Sequence, residues 1–153
     1  MSKIRGLRPV WMACAVAGVL GAGGSAWAAT LPPAQNQGPV AYVSGGVGQD
    51  EAKAFEAQAA RWPVELEFVT REPGTPREAF LANVAVRILD AHDSVVLDTR
   101  SDGPFMLARL QPGRYRVQAS FAGQTMTRTL RLGGQGTAHE LFVWPGSAEH
   151  AES

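Results

Sequence analysis

Side chains able to perform catalysis are few in this chain, and their spacing is poor. His92-Asp93-Ser94 contains the letters of a hydrolytic triad. Three consecutive residues cannot set a nucleophile, a base and an orienting acid around one reacting atom, and no oxyanion motif accompanies them. The polar run Asp90–Ser94 therefore reads as a hairpin tip. His139 and His150 are isolated, without the His-x-x-x-His or His/carboxylate spacing that a metal site requires. Ser44-Gly45-Gly46-Val47-Gly48 stands where a phosphate loop would stand, between an expected strand and an expected helix. It matches neither the Walker spacing nor the dinucleotide fingerprint, and Asp50 and Glu51 behind it would repel an anion. It reads as a turn. No catalytic residue, metal or cofactor is implied.

Arginine and tryptophan offer recognition rather than reaction. Ala122-Gly123 fits a two-residue hairpin loop, which pairs Phe121 with Gln124 and carries that register back along both strands. Tyr115 then faces Leu130, Val117 faces Arg128 and Ala119 faces Met126. On the opposite face Arg116 meets Thr129, and Arg114 meets Arg131. Like charges directly opposite are unfavourable, so this face calls for carboxylates, which Glu65 and Glu67 could supply. It is either a solvated charge ladder of small net value or a shallow surface for an anionic ligand or partner, made by Arg114, Arg116 and Arg131. Trp62 closes a helical stripe and reads as core. Trp144 ends the last strand, equally suited to packing at the rim or to an exposed stacking platform. Arg128 breaks the parity of its strand, and snorkelling over the sheet edge is the favoured resolution.

The elements that must hold these residues follow from composition and period. Lys3, Arg5 and Arg8 precede the uncharged run Val10–Ala22, and Ala26 and Ala28 are the small residues a signal peptidase requires. The run is too short to span a bilayer as a helix. Residues 1–28 are expected to be removed, taking the single cysteine, Cys14, with them. The mature chain then keeps eleven basic and fourteen acidic residues, a net charge of about −3 that gives no general attraction to nucleic acid. At 45% hydrophobic and 18% charged the chain is not disordered, and its size suits one domain without disulfides. Residues 29–39 read as a flexible lead-in and 145–153 as a loose acidic tail, with the domain at 40–144.

One helix is expected near Gln49–Arg61, with Ala52, Phe55, Ala59 and Trp62 on one face and Pro63 ending it. The period then changes to two. Val64, Leu66 and Phe68, then Val84, Val86 and Ile88 with a return strand starting at Val95–Leu97, then Phe105–Leu110, Arg114–Phe121, Thr125–Leu132 and Thr137–Trp144 read as short strands, and Val40–Val43 could be one more before the helix. The expectation is a mainly β protein: an antiparallel sandwich of seven to eight strands, prealbumin- or immunoglobulin-like, with one N-terminal amphipathic helix packed on it.

The segment Phe105-Met106-Leu107-Ala108-Arg109-Leu110-Gln111-Pro112-Gly113-Arg114-Tyr115-Arg116-Val117 resembles the carboxypeptidase regulatory-like family, also classed with carbohydrate-binding-like folds. The shared pattern is an alternating apolar strand, then Leu-x-Pro-Gly-x-Tyr-x-Val. In this pattern Phe105 and Leu107 point inward, Pro112-Gly113 turns, and Tyr115 and Val117 re-enter the core. The likeness extends over about Val64–Leu132, and it implies a fold rather than an activity. Two chemistries of similar domains find no residues here. No histidine precedes His92 for a transthyretin-related hydrolase, whose closing Tyr-Arg-Gly-Ser is replaced by Ala151-Glu152-Ser153. For an isopeptide, Lys53 is the only lysine after the leader and no asparagine follows Asn83. The expected function is an exported, monomeric, non-catalytic binding or interaction module of the bacterial envelope, periplasmic or secreted. Its partner would be an envelope glycan or protein. The alternative is a structural accessory subunit or inhibitor of an envelope complex.

Overall fold

The computed structural model describes residues 30–146; the expected leader, with Ala26 and Ala28 at its expected cleavage site, and His150 lie outside them. In chain order the strands are β1 (Gln35–Gln37), β2 (Val40–Gly45), β3 (Val64–Arg71), β4 (Glu78–Phe80), β5 (Ala85–Leu89), β6 (Val95–Arg100), β7 (Phe105–Arg109), β8 (Gly113–Phe121), β9 (Gln124–Leu132) and β10 (Ala138–Pro145). Helix α1 (Gln49–Gln58) lies between β2 and β3 and tightens into a 3-10 turn, Ala59–Arg61. One sheet has the order β1-β2-β7-β3-β10, with β4 beside the far half of β3; the other is β6-β5-β8-β9. The protein is thus mainly β, with two sheets and one helix.

Two expectations need correction. The lead-in and the loop after β3 contribute the three-residue strands β1 and β4, so the described residues hold ten strands rather than seven or eight. Nor is every pair antiparallel: β10 runs parallel to β3, from Ala138 beside Val64 to Pro145 beside Arg71. Its direction follows from where the chain returns after β9. The Thr137 hydroxyl donates to the Trp62 carbonyl at 2.7 Å, and Ala138 N donates to the Pro63 carbonyl at 2.8 Å. Both strands therefore start at the same end, and a strand starting there can only run alongside β3.

Period-two burial assembles the core as read. Val64, Leu66 and Phe68 of β3 meet Val86 and Ile88 of β5 and Val117 and Ala119 of β8 in one cluster, so both sheets share it. The β8–β9 register is also as read, with Tyr115 opposite Leu130 and Val117 opposite Arg128. On β7 the parity is reversed. Met106 and Ala108 enter the shared core, whereas Phe105 and Leu107 lie on the other face with Val43, Phe55, Ala59 and Trp62. The α1 stripe covers that face, and the rings of Phe55 and Phe105 stack at 5.8 Å. A strand buried on both sides shows no alternation, so sequence period could not tell the two faces apart.

The β7–β8 corner is fastened by Tyr115. Its ring is buried in the shared core, and its hydroxyl donates to the Gln111 carbonyl at 2.8 Å, spanning the Pro112-Gly113 turn. Burial pushes its phenol above the ordinary value, and the charge of Asp90 adds to this. Tyr115→Ala is expected to cost about 3–5 kcal/mol, the range for truncating a buried aromatic. Tyr115→Phe, which removes only the hydrogen bond, should cost about 1 kcal/mol. Urea denaturation measures both, and an unchanged midpoint in Tyr115→Ala would place the ring on the surface.

Candidate functional site

The arginine face read from the hairpin register is present in part. Arg114 and Arg131 stand directly opposite on the exposed side of the β8–β9 ladder, and Arg116 is opposite Thr129. The carboxylates do not come from Glu65 and Glu67, which belong to the other sheet. Arg116 instead pairs with Asp93 at the β5–β6 hairpin tip. That tip is an Asx turn, in which the Asp90 carboxylate accepts from the amides of His92 at 2.8 Å and Ser94 at 3.0 Å. His92-Asp93-Ser94 is therefore spent on a turn and a surface ion pair. The Ser44–Gly48 loop is likewise filled from within, because Glu51 accepts from Gly46 N at 2.7 Å.

Trp144 is not a stacking platform. Only 2% of its surface is exposed; its ring packs against Phe68, Phe121 and Phe142, and its indole N–H donates to the Gln124 carbonyl. The parity of β10 aims it into the core, with its polar edge reaching across to β9. Arg128 resolves as expected by snorkelling: it is exposed, its guanidinium is 5.6 Å from the Phe142 ring centroid, and it donates to the Thr127 carbonyl.

A site that sequence reading did not assemble lies where β3 enters, β7 leaves and β9 crosses to β10. There a cleft of about 430 Å³ is lined by Arg61, Trp62, Pro63, Arg109, Leu110, Pro112, Arg131 and the loop Gly133-Gly134-Gln135-Gly136. No acidic residue is among the described residues that line it. Among the described residues, Arg61, Arg109 and Arg131 form no ion pair and donate no side-chain hydrogen bond, whereas Arg71, Arg87 and Arg116 each hold a carboxylate. The Arg109 guanidinium lies 4.4 Å over the Trp62 ring. That stacking orients the plane and leaves its N–H fork unspent.

The loop adds backbone donors. Gly134 and Gly136 have φ of 84° and 74°, while Gly133 and Gln135 between them do not share that handedness. Alternating handedness is a backbone pattern from which concave anion sites are built. Among the described residues, the N–H groups of Gly134, Gln135 and Gly136 have no hydrogen-bond partner. Three guanidinium groups and these amides form a set of donors matched to a carboxylate, sulfate or phosphate. Of the residues expected to form an anion surface, only Arg131 lines this cleft. Gly133-Gly134-x-Gly136 was the available sequence signal.

No protein-family model matches the chain, and no curated protein matches it. Among the described residues no helix is long and apolar enough to cross a membrane, and no three His, Cys, Asp or Glu side chains cluster as metal ligands would.

Acid collects elsewhere, on the outer face of the first sheet. Glu65 pairs with His139 in the β3–β10 ladder, and Glu67 lies 3.3 Å from the His139 imidazole. Partial burial pushes the Glu65 carboxyl above the ordinary range; His139 opposes this, while Glu67 and Glu56 add to it. A raised folded pKa means the native state holds this proton more tightly than the unfolded chain. Stability from this group is therefore present at low pH and falls as pH rises from the ordinary carboxylate range through the raised value. Glu65→Gln is expected to gain stability over wild type progressively across that window and to keep the gain at neutral pH. Denaturant midpoints measured from pH 4 to 7 check this; a constant difference between the two proteins would contradict it.

Proposed function

We propose that this chain is an exported, monomeric, non-catalytic binding module of the bacterial envelope, built as a β-sandwich of the carboxypeptidase regulatory-like kind, and that the arginine cleft is its ligand site. The carrying observation is the convergence of Arg61, Arg109 and Arg131, all without carboxylate partners, on a concave surface with no acidic lining. These three are held together by the backbone of three separate segments, and one is oriented on an indole. A volume of about 430 Å³ falls in the range of about 300–1,000 Å³ for small-molecule sites. It exceeds what a bare oxyanion fills, so the ligand is an anionic group on a larger body.

The non-catalytic reading is supported by what meets the cleft. Its charged residues are arginines, which do not exchange protons near neutral pH, and no serine, histidine or carboxylate lines it. Binding and orientation are what such a surface does well. The alternative, an accessory subunit or inhibitor, draws on the exposed Phe80 and Val47, at 59% and 66% exposure.

The mature chain carries net negative charge, so retention on an anionic matrix requires a local basic site. Protein recovered from the periplasm, beginning at Ala29, should be retained on a polyuronate column at low salt. Arg109→Gln/Arg131→Gln should elute earlier, while Arg87→Gln/Arg100→Gln, with the same change in charge, should elute with wild type. Equal loss in both doubles, or no retention of wild type, would overturn the reading.

A further inference from the structure

Beyond the cleft, basic surface continues in one direction. Arg131 lines the cleft, and its directly opposed neighbour on β8 is Arg114, exposed on the same face. Directly opposed side chains have Cβ atoms about 5 Å apart, so Arg114 extends the row of guanidinium groups out of the cleft onto the second sheet. Among the described residues Arg114 forms no ion pair. At Arg114 the row reaches its end, because Arg114 and Arg116 line one recess with Asp90 and Asp93, and Asp93 pairs with Arg116. The result is a basic track closed at one end by the glycine loop and at the other by carboxylates. Two like charges held opposite each other repel unless something anionic bridges them, and among the described residues neither Arg114 nor Arg131 is in an ion pair.

We propose that the track binds an acidic polysaccharide: one charged sugar sits in the cleft, and the next charged units lie along Arg131 and Arg114. This rests on the cleft being the ligand site and adds the class and extent of the ligand. Two observations favour a glycan over other polyanions. A single nucleic-acid strand would use exposed aromatic rings to stack its bases, and the one aromatic at the cleft, Trp62, is buried beneath Arg109. An extended acidic peptide would gain most by adding a strand to the open edge of β9. That edge carries Arg128 at an inward position, a charge placement that discourages strand addition.

The test is calorimetric titration of the full mature chain at low salt with galacturonate and its di-, tetra- and hexamer. Affinity is expected to rise from monomer to tetramer and then level off, because the track is finite. Arg114→Gln should weaken the tetramer by about two- to fivefold, the scale of one solvent-facing ion pair, and leave the monomer unchanged. Arg131→Gln should weaken both. All these residues are exposed, and unchanged melting temperatures will show that the variants fold. Equal affinity for all lengths, or an Arg114→Gln variant indistinguishable from wild type on the tetramer, would overturn the track. In that case loss of monomer binding in Arg131→Gln would still uphold the cleft. Tighter binding of poly-glutamate or of single-stranded DNA than of tetragalacturonate would overturn the glycan assignment, and equal binding of a neutral tetrasaccharide would overturn both readings.

Discussion

Met106 and Ala108 of β7 face the second sheet while Phe105 and Leu107 face the helix, so every side chain from 105 to 108 is out of water. This double burial dictates much else. The inner face needs a second sheet, and β5 and β8 supply it with Val86, Ile88, Val117 and Ala119. The outer face needs a cover of the same width, and the short α1 supplies it with Phe55 and Ala59 before the chain re-enters as β3. Full burial of a side chain such as Phe105 or Leu107 contributes roughly 1.5–3 kcal/mol, so an uncovered outer face would be a substantial loss. The helix is too short to be stable alone. Its stability comes from this packing.

The same layer places the side chains of the cleft. Trp62 must lie over the end of β7 to finish the apolar cover, which sets its ring beneath Arg109 at the strand's last residue. Arg61 precedes it in the 3-10 turn, and the Thr137 hydroxyl, bound to the Ala59 and Trp62 carbonyls, ties the glycine loop to that corner. The cleft is thus a consequence of how the cover ends. The open sides between the sheets are closed by polar side chains. On one, the Gln37 amide bonds both the N–H and the C=O of Asp98, joining β1 to β6. On the other, the Trp144 indole reaches the Gln124 carbonyl, and Arg128 lies over Phe142.

Local patterns were legible in the sequence where one physical cause acted alone. Alternation of Val64, Leu66 and Phe68 reports one wet and one dry face. A two-residue loop at Ala122-Gly123 determines the β8–β9 register down to Arg114 opposite Arg131, and the Phe55 stripe reports a helix lying on a surface. Legibility failed where causes overlapped. Phe105 and Met106 are both buried, so period could not say which faces the helix. The direction of β10 depends on hydrogen bonds from Thr137 and Ala138 to residues some 75 positions earlier, which no local pattern encodes. Trp144 was ambiguous because a terminal aromatic suits either rim or core. The cleft was invisible for the same reason as β10: Arg61, Arg109, Arg131 and Gly133–Gly136 become neighbours only after both sheets form.

The central claim is that backbone amides and guanidinium groups from these separate segments act together on one anion. Amide chemical-shift mapping with galacturonate, on the isotope-labelled protein, reports this residue by residue. Saturable shifts are expected, concentrated at the amides of Gly134, Gln135 and Gly136 and at the side-chain Nε–H of Arg61, Arg109 and Arg131. The paired Arg71 and Arg87 should stay unmoved. Shifts that are spread evenly over the exposed arginines, or confined to Arg116 and the hairpin tip, would contradict it.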